Sequence, residues 1–238
     1  MEWIKVEVTE GAALAVLDHK SENRLSGPFT AELRAMLSEL AADSAVKSAV
    51  VTGGHEKFFC NGLDLEWMMQ QSPSALEEFL LEVTRLLKDT ALFPKPLIGA
   101  INGHAFGLGC IWSSGFDFRL MREDRGWACF PEMDINIPFL PGMIAICEHG
   151  LGTRLFREMA FTAKRYAGPE AAALGWAREA VKKEELVAKS LELARFMGQK
   201  AQPAFSLTKQ RWAREVARII DELDPEAVRQ TQFSAPGG

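Results

Sequence analysis

Within its first 110 residues the chain repeats one pattern, and that repetition constrains the fold more than any other feature. An amphipathic helical stretch leads into a short apolar run, and the run ends in glycine. "FTAELRAMLSELAA" (29–42) sets Phe29, Leu33, Met36, Leu37 and Leu40 on one stripe at helical spacing. "SAVVTG" (48–53) then reads as a buried strand stopped by Gly53 and Gly54. The second round opens at "SPSALEEFLLEVTRLLKDTAL" (72–92), with Ser72 as cap and Pro73 at the first helical position, and leads into the strand "PLIGAI" (96–101). Before both, "WIKVEV" (3–8) and "ALAVLD" (13–18) read as strands joined by a turn at Glu10-Gly11. Strands alternating with helices predict an α/β layer architecture.

After residue 142 the pattern becomes almost wholly helical, with apolar periodicity over 151–162, 169–176, 184–199 and 203–221 and one short edge strand at "REAV" (178–181). No low-complexity linker interrupts the 238 residues, so one domain is expected, with its core in residues 1–150 and a helical part over 151–231. That helical part is too one-faced to build its own core and is expected to pack on neighbours.

The net charge of −5 provides no global basic field, so nucleic acid and anionic membrane surfaces are not expected partners. An anionic ligand would need a local group of Lys and Arg. Cys60, Cys110, Cys129 and Cys147 show neither paired metal spacing nor the density of a disulfide framework, so no metal is expected and the thiols are read as reduced, in the cytoplasm. "MEWIKVEVTEG" lacks the pattern of a secretory signal, no apolar run approaches a membrane span, and "SAPGG" is no targeting tripeptide or prenylation box.

Three stretches could carry chemistry. "KFFCNGLDLEWM" (57–68) and "NGHAFGLGCIW" (102–112) are similar glycine-rich exits that each precede a helical pattern. Converging helix starts would offer unpaired backbone N–H groups to a developing oxyanion, although either motif alone is equally compatible with a tight turn. In "GWACFPEMDINIPFLPG" (126–142), Glu132 follows Pro131 inside an apolar run, where a carboxylate is costly unless it is paired or working. Asp134 is the competing base, though an aspartate in such a turn more often bonds its own backbone. His104 and Cys60 lie near both exits but have no evident orienting partner, and they are read as packing residues.

Taken in order, these stretches resemble the crotonase family of enoyl-CoA hydratases and isomerases. The resemblance runs from Ala13 to Trp212 and includes "SENRLS" (21–26), "KPLIGAINGHAFGLGC", "PEMDI" and "FTAKRYAGPEAAALGW" (161–176). It implies a spiral of ββα units with a helical C-terminal part, an acyl-CoA substrate, no separate cofactor, and a homotrimer or hexamer. It further implies that the N–H groups of Leu63 and Leu108 form the oxyanion hole. Asn61, Gly62, Asp64 and Ile111 would line the substrate site, and Arg24 and Leu25 would flank the adenine and its phosphates. Lys57 and Lys209 are candidate phosphate contacts, the latter toward a neighbouring subunit; a solvated surface charge is the alternative for each. Two positions depart from the family pattern. Leu108 stands where glycine is usual, and Glu66 stands where relatives often carry lysine.

Position 111 narrows the reaction. Hydration of a 2-enoyl thioester needs one carboxylate to activate water and another to deliver a proton. In the family these tasks fall on the positions of Ile111 and Glu132, and isoleucine can do neither. Moving a double bond from C3 to C2 needs a single base, so the resemblance is nearest to plant-type monofunctional delta3-delta2-enoyl-CoA isomerases. Hydration, thioester hydrolysis, decarboxylation and non-catalytic acyl-CoA binding stand as the alternatives.

Overall fold

The computed structural model describes residues 1–20 and 22–231; Ser21 of the "SENRLS" stretch and the "SAPGG" stretch lie outside the described residues. Two strands, β1 (Ile4–Thr9) and β2 (Ala12–Leu17), form an antiparallel hairpin, and α1 (Gly27–Ala42) follows. Thereafter the chain makes strand pairs of a constant kind. The pairs are β3 (Ser48–Gly53) with β4 (Phe58–Cys60), β5 (Leu97–Ile101) with β6 (His104–Phe106), and β7 (Phe118–Arg122) with β8 (Trp127–Cys129). The helices α2 (Leu65–Met68) and α3 (Pro73–Ala91) follow the first pair, α4 (Leu108–Ser114) the second, and α5 (Pro141–Leu151) the third. The first member of each pair joins a six-stranded sheet ordered β1-β2-β3-β5-β7-β10, where β10 is Glu179–Val181. The second member joins a four-stranded sheet ordered β4-β6-β8-β9, where β9 is Tyr166–Ala167.

This alternation positions the site. Strands β4, β6 and β8 are parallel neighbours. Adjacent strands lie about 4.8 Å apart, so the three chain segments leaving them emerge side by side, although some seventy residues of sequence separate the first from the last.

The large sheet is covered on both faces, which explains why its strands read as continuous apolar runs. Ala49 and Val51 of β3 face a core that includes Phe29, Leu33, Met36, Leu37 and Leu40 of α1, the stripe the periodicity identifies. Val50 points the other way, into a second cluster with Ile98, Leu120 and the α8 (Lys183–Gly198) residues Leu186 and Ala194. Each large apolar side chain so buried contributes about 1.5–3 kcal/mol. Helix α3 begins as expected, with the Ser72 hydroxyl accepting from the Ala75 N–H.

Several elements differ from expectation. The helical C-terminal part consists of α6 (Thr153–Thr162), α7 (Gly168–Leu174), α8 and α9 (Gln202–Gln230). Helix α9 does not stop at 221. It continues through Pro225, because Val228 is buried and anchors the last turns to the core. It packs on α3 and α5 of its own chain, with Ala213, Val216 and Ile220 buried, so this face is covered without a neighbour. Strand β7, with its two arginines, and the short strands β4, β6 and β8 were not assigned from the pattern.

Candidate active site

The first wall of the site is the exit from β4. Leu25 and Leu63 form a parallel bridge, in which the Leu25 N–H donates to Gly62 O (2.8 Å) and the Asp64 N–H donates to Leu25 O (2.9 Å). In that geometry the N–H of Leu63 itself points to the opposite side. Among the described residues no backbone carbonyl accepts it. Gly62 makes the turn at φ +77°, and a Cβ there would lie 2.9 Å from Phe106 O and 3.3 Å from Leu108 N. Only glycine allows the two exits to approach this closely.

The second wall is the exit from β6. Gly107, at φ +51°, donates its N–H to Cys129 O (3.0 Å), and its carbonyl accepts from the N–H groups of Cys110 and Ile111. Leu108 opens α4, so its N–H has no acceptor in the preceding turn. Leu63 and Leu108 thus present two amides to one space on either side of the Gly62 turn.

The third wall is the exit from β8. A turn closes over residues 131–137, with the Asp134 and Ile135 N–H groups both donating to Pro131 O and Ile137 N–H donating to Glu132 O. The turn aims Glu132 inward, leaving it 6% exposed. Its Oε1 lies 3.3 Å from the place a Cβ on Gly107 would occupy, and its Oε2 has no hydrogen-bond partner among the described residues. Burial without a cation raises its pKa from the usual carboxylate range to about 7. Asp134, by contrast, is exposed.

These walls enclose a pocket of about 170 Å³. Asn61, Gly62, Leu63, Leu108, Ile111 and Glu132 all line it. Reading the sequence did not identify Leu65, Ile135, Ile137 and Met143, which complete the apolar lining. The alternating isoleucines of "DINIP" were the available signal for two of them.

Other expected residues lie elsewhere. Arg24 stands at the mouth. Its Nε donates to Glu22 Oε2 (2.6 Å), which also accepts from the Nδ2 of pocket-lining Asn61 (2.7 Å). Lys20, not identified from the sequence, stands nearby, its ammonium 3.4 Å from Asp64 Oδ2. Asp64 is buried and caps α2 by accepting from the Trp67 N–H (3.1 Å), so its carboxylate is already engaged. Leu25 is a correction: its side chain is fully buried in the core and both its backbone groups are bonded. It shapes the β4 exit and does not flank a ligand. Lys57 is a second correction. It precedes β4 at the end remote from the pocket, with its ammonium 5.0 Å from the Phe58 ring centroid. Lys209 is the third. It is 6% exposed, donates to Asp117 Oδ2 at 2.7 Å, and so holds α9 to the base of the large sheet.

Cys60 and His104 are not paired with each other. The Cys60 thiol donates to Asn23 O (3.1 Å) and burial pushes its pKa up to about 12, while His104 packs between Phe58 and Trp127. Among the described residues no group of three or more His, Cys, Asp or Glu is arranged to hold a metal, and no helix is long and apolar enough to cross a membrane.

Residues 7–232 match the family model described as enoyl-CoA hydratase/isomerase. Enoyl-CoA delta isomerase 3 of Arabidopsis thaliana is 29% identical over 229 residues, covering 93% of this chain and 92% of the relative. A short-chain-enoyl-CoA hydratase of Clostridium acetobutylicum is 26% identical, covering 88% of this chain and 80% of the relative. Human mitochondrial delta3-delta2-enoyl-CoA isomerase shares the fold with a TM-score of 0.91 at 22% identity, over 95% of this chain and 89% of that one. The chain has the crotonase fold, and it is an enzyme of the enoyl-CoA hydratase/isomerase family.

Proposed function

We propose that the protein is a delta3-delta2-enoyl-CoA isomerase in which Glu132 is the only proton carrier. The carrying observation is that Glu132 is the sole carboxylate among the pocket-lining residues, with Ile111 buried where a second would be needed. The thioester carbonyl would accept from the Leu63 and Leu108 N–H groups, which acidifies C2. Glu132 takes the C2 proton, the negative charge moves onto the thioester oxygen, and Glu132 returns the proton to C4 as the double bond shifts. Each oxyanion donor is typically worth about 3–4 kcal/mol when deleted. A carboxyl pKa near 7 suits a group that must both take and give a proton at neutral pH. The apolar lining keeps water from the dienolate. Arg24 and Lys20, linked to Glu22 and Asp64 beside the pocket-lining Asn61, are proposed to meet the phosphates of coenzyme A. Assembly into a homotrimer or hexamer is proposed from the family resemblance alone, and light scattering would test it.

The test is to compare isomerisation of a 3-enoyl-CoA with hydration of crotonyl-CoA. Wild type should isomerise and should hydrate at least roughly 10²-fold more slowly, since one of the two proton-transfer groups is missing. Ile111→Glu should gain hydration and lose isomerisation, because two carboxylates in this space force one to stay protonated. Wild-type hydration as fast as isomerisation would overturn the reading.

A further inference from the structure

Burial divides the pocket lining into a rim and a floor. Ile135 and Pro138 are exposed at the mouth, whereas Ile111, Leu108 and Met143 are buried at the bottom. Met143 belongs to α5, which carries none of the three exits that build the reacting centre. The position of α5 is fixed from outside the pocket. Asp224 of α9, fully buried, accepts the Gly142 N–H at 2.8 Å through Oδ1. A Cβ on Gly142 would collide with Asp224 Oδ2 and with Ile220, so α9 fits against this turn without slack. Pro141 at the first helical position and a carboxylate beside the helix start both favour the arrangement. The floor is therefore a side chain on a pinned helix, and it does not give way as a loop would.

We infer that Met143 sets the length of acyl chain the enzyme accepts, closing the pocket to chains much longer than about six carbons, since a cavity of about 150 Å³ holds benzene. The pocket measures about 170 Å³ and is lined by Leu63, Leu108 and Glu132 as well as Met143, so the reacting carbons occupy the same space as the tail. Methionine is unbranched and adjusts its shape, which allows a tolerance of a carbon or two but no open channel. The inference rests on the isomerase reading for the identity of the reacting group. The chain-length limit itself stands on the cavity.

Two measurements on the full-length protein separate these. Calorimetric binding of saturated acyl-CoA thioesters of four, six, eight, twelve and sixteen carbons reads the pocket, and turnover of the matching 3-enoyl-CoA series reads the reaction. Affinity should rise to six or eight carbons and fall about tenfold or more by twelve, the scale on which apolar pockets discriminate chain length. Met143→Ala should move that fall to longer chains, and Met143→Phe should move it to shorter ones. If the alanine variant fails to fold, the phenylalanine variant and the wild-type profile still decide. Affinity that keeps rising through sixteen carbons, or a profile that neither variant moves, overturns the inference. A steep binding profile without 3-enoyl turnover supports the inference and overturns the isomerase reading.

Discussion

The two ends of α4 differ in how their polar groups are partnered. At the last turn, the buried Arg119 guanidinium donates to the carbonyls of Ser113 (3.1 Å), Ser114 (3.0 Å) and Phe116 (2.8 Å), and its Nε donates to Trp176 O (2.6 Å). Trp112 Nε1–H donates to Thr90 Oγ1 and Trp176 Nε1–H to Ser114 Oγ, so the indoles are partnered too. At the first turn, the Leu108 N–H has no backbone acceptor, and across the pocket Glu132 Oε2 is also without a partner among the described residues. A buried polar group that is satisfied fixes a structure, and one left unsatisfied at a cavity is available to a ligand. The helix is anchored at one end so that its other end can hold the Leu108 N–H in a fixed place beside Glu132 of the neighbouring turn.

The contrast breaks most visibly at Glu132. Glu132→Gln keeps the shape and loses the base, so turnover of 3-enoyl-CoA should fall by roughly 10²–10⁴-fold. Acyl-CoA affinity, read by calorimetry, should stay close to wild type. Retention of more than a tenth of the activity would mean that the open end of α4 is not where the proton moves.

Arg119→Met tests the anchored end. Removing a buried cation whose partners remain should cost roughly 3–5 kcal/mol of stability, measured by urea denaturation. A variant of wild-type stability with lost activity would reverse the roles assigned to the two ends.

The pH dependence sharpens the contrast through its sign. Glu132 has its pKa raised to about 7 in the folded chain, against an ordinary 4.5. Between those values the native state keeps a proton that the unfolded chain has released, so stability from this group is present below 4.5 and is lost as pH rises through 7. Activity runs oppositely, because the base must be ionised: kcat/KM should rise with pH and level off above about 7. Glu132→Gln should remove the loss and be more stable than wild type at pH 8 by up to about 3 kcal/mol. Asp224, raised to about 6 by burial, adds a slope of the same sign in both proteins and cancels in the difference. Equal melting temperatures for the two proteins at pH 8 would show that Glu132 does not carry an uncompensated charge.

How much of this was legible depends on whether the information is local. The α1 stripe shows at helical spacing because one face of one element meets one core. Glu132 was legible as a carboxylate set in an apolar run. Strand β7, "FRLMR", was not, because Arg119 and Arg122 are buried there against carbonyls brought in from elsewhere, those of Trp176 and Asn102. Strands β4, β6 and β8, of three residues each, are too short to show a period. Lys209 reads as a surface charge on a helix until Asp117, ninety-two residues earlier, is folded beneath it. Met143 and Asp224 acquire their roles only through the packing of α9 on α5.

The two ends of β4 repeat the contrast on a smaller scale and give the smallest expected effects. Beyond its first residue, Lys57 is exposed with its ammonium over the Phe58 ring, a contact that involves nothing in the pocket. Beyond its last, Asn61 lines the pocket and shares the Glu22 carboxylate with Arg24. Lys57→Ala should therefore leave the KM for acyl-CoA within about twofold, the usual range for a surface change of about 0.5 kcal/mol. Arg24→Ala should raise KM several-fold and weaken its salt dependence, since an exposed charge–phosphate contact is screened by ions. It should leave kcat nearly unchanged, because the lost contact lies far from the reacting carbons. A larger KM effect from Lys57 than from Arg24 would mean that the coenzyme leaves the pocket along the small sheet, past the end of β4 that here is assigned no part in binding.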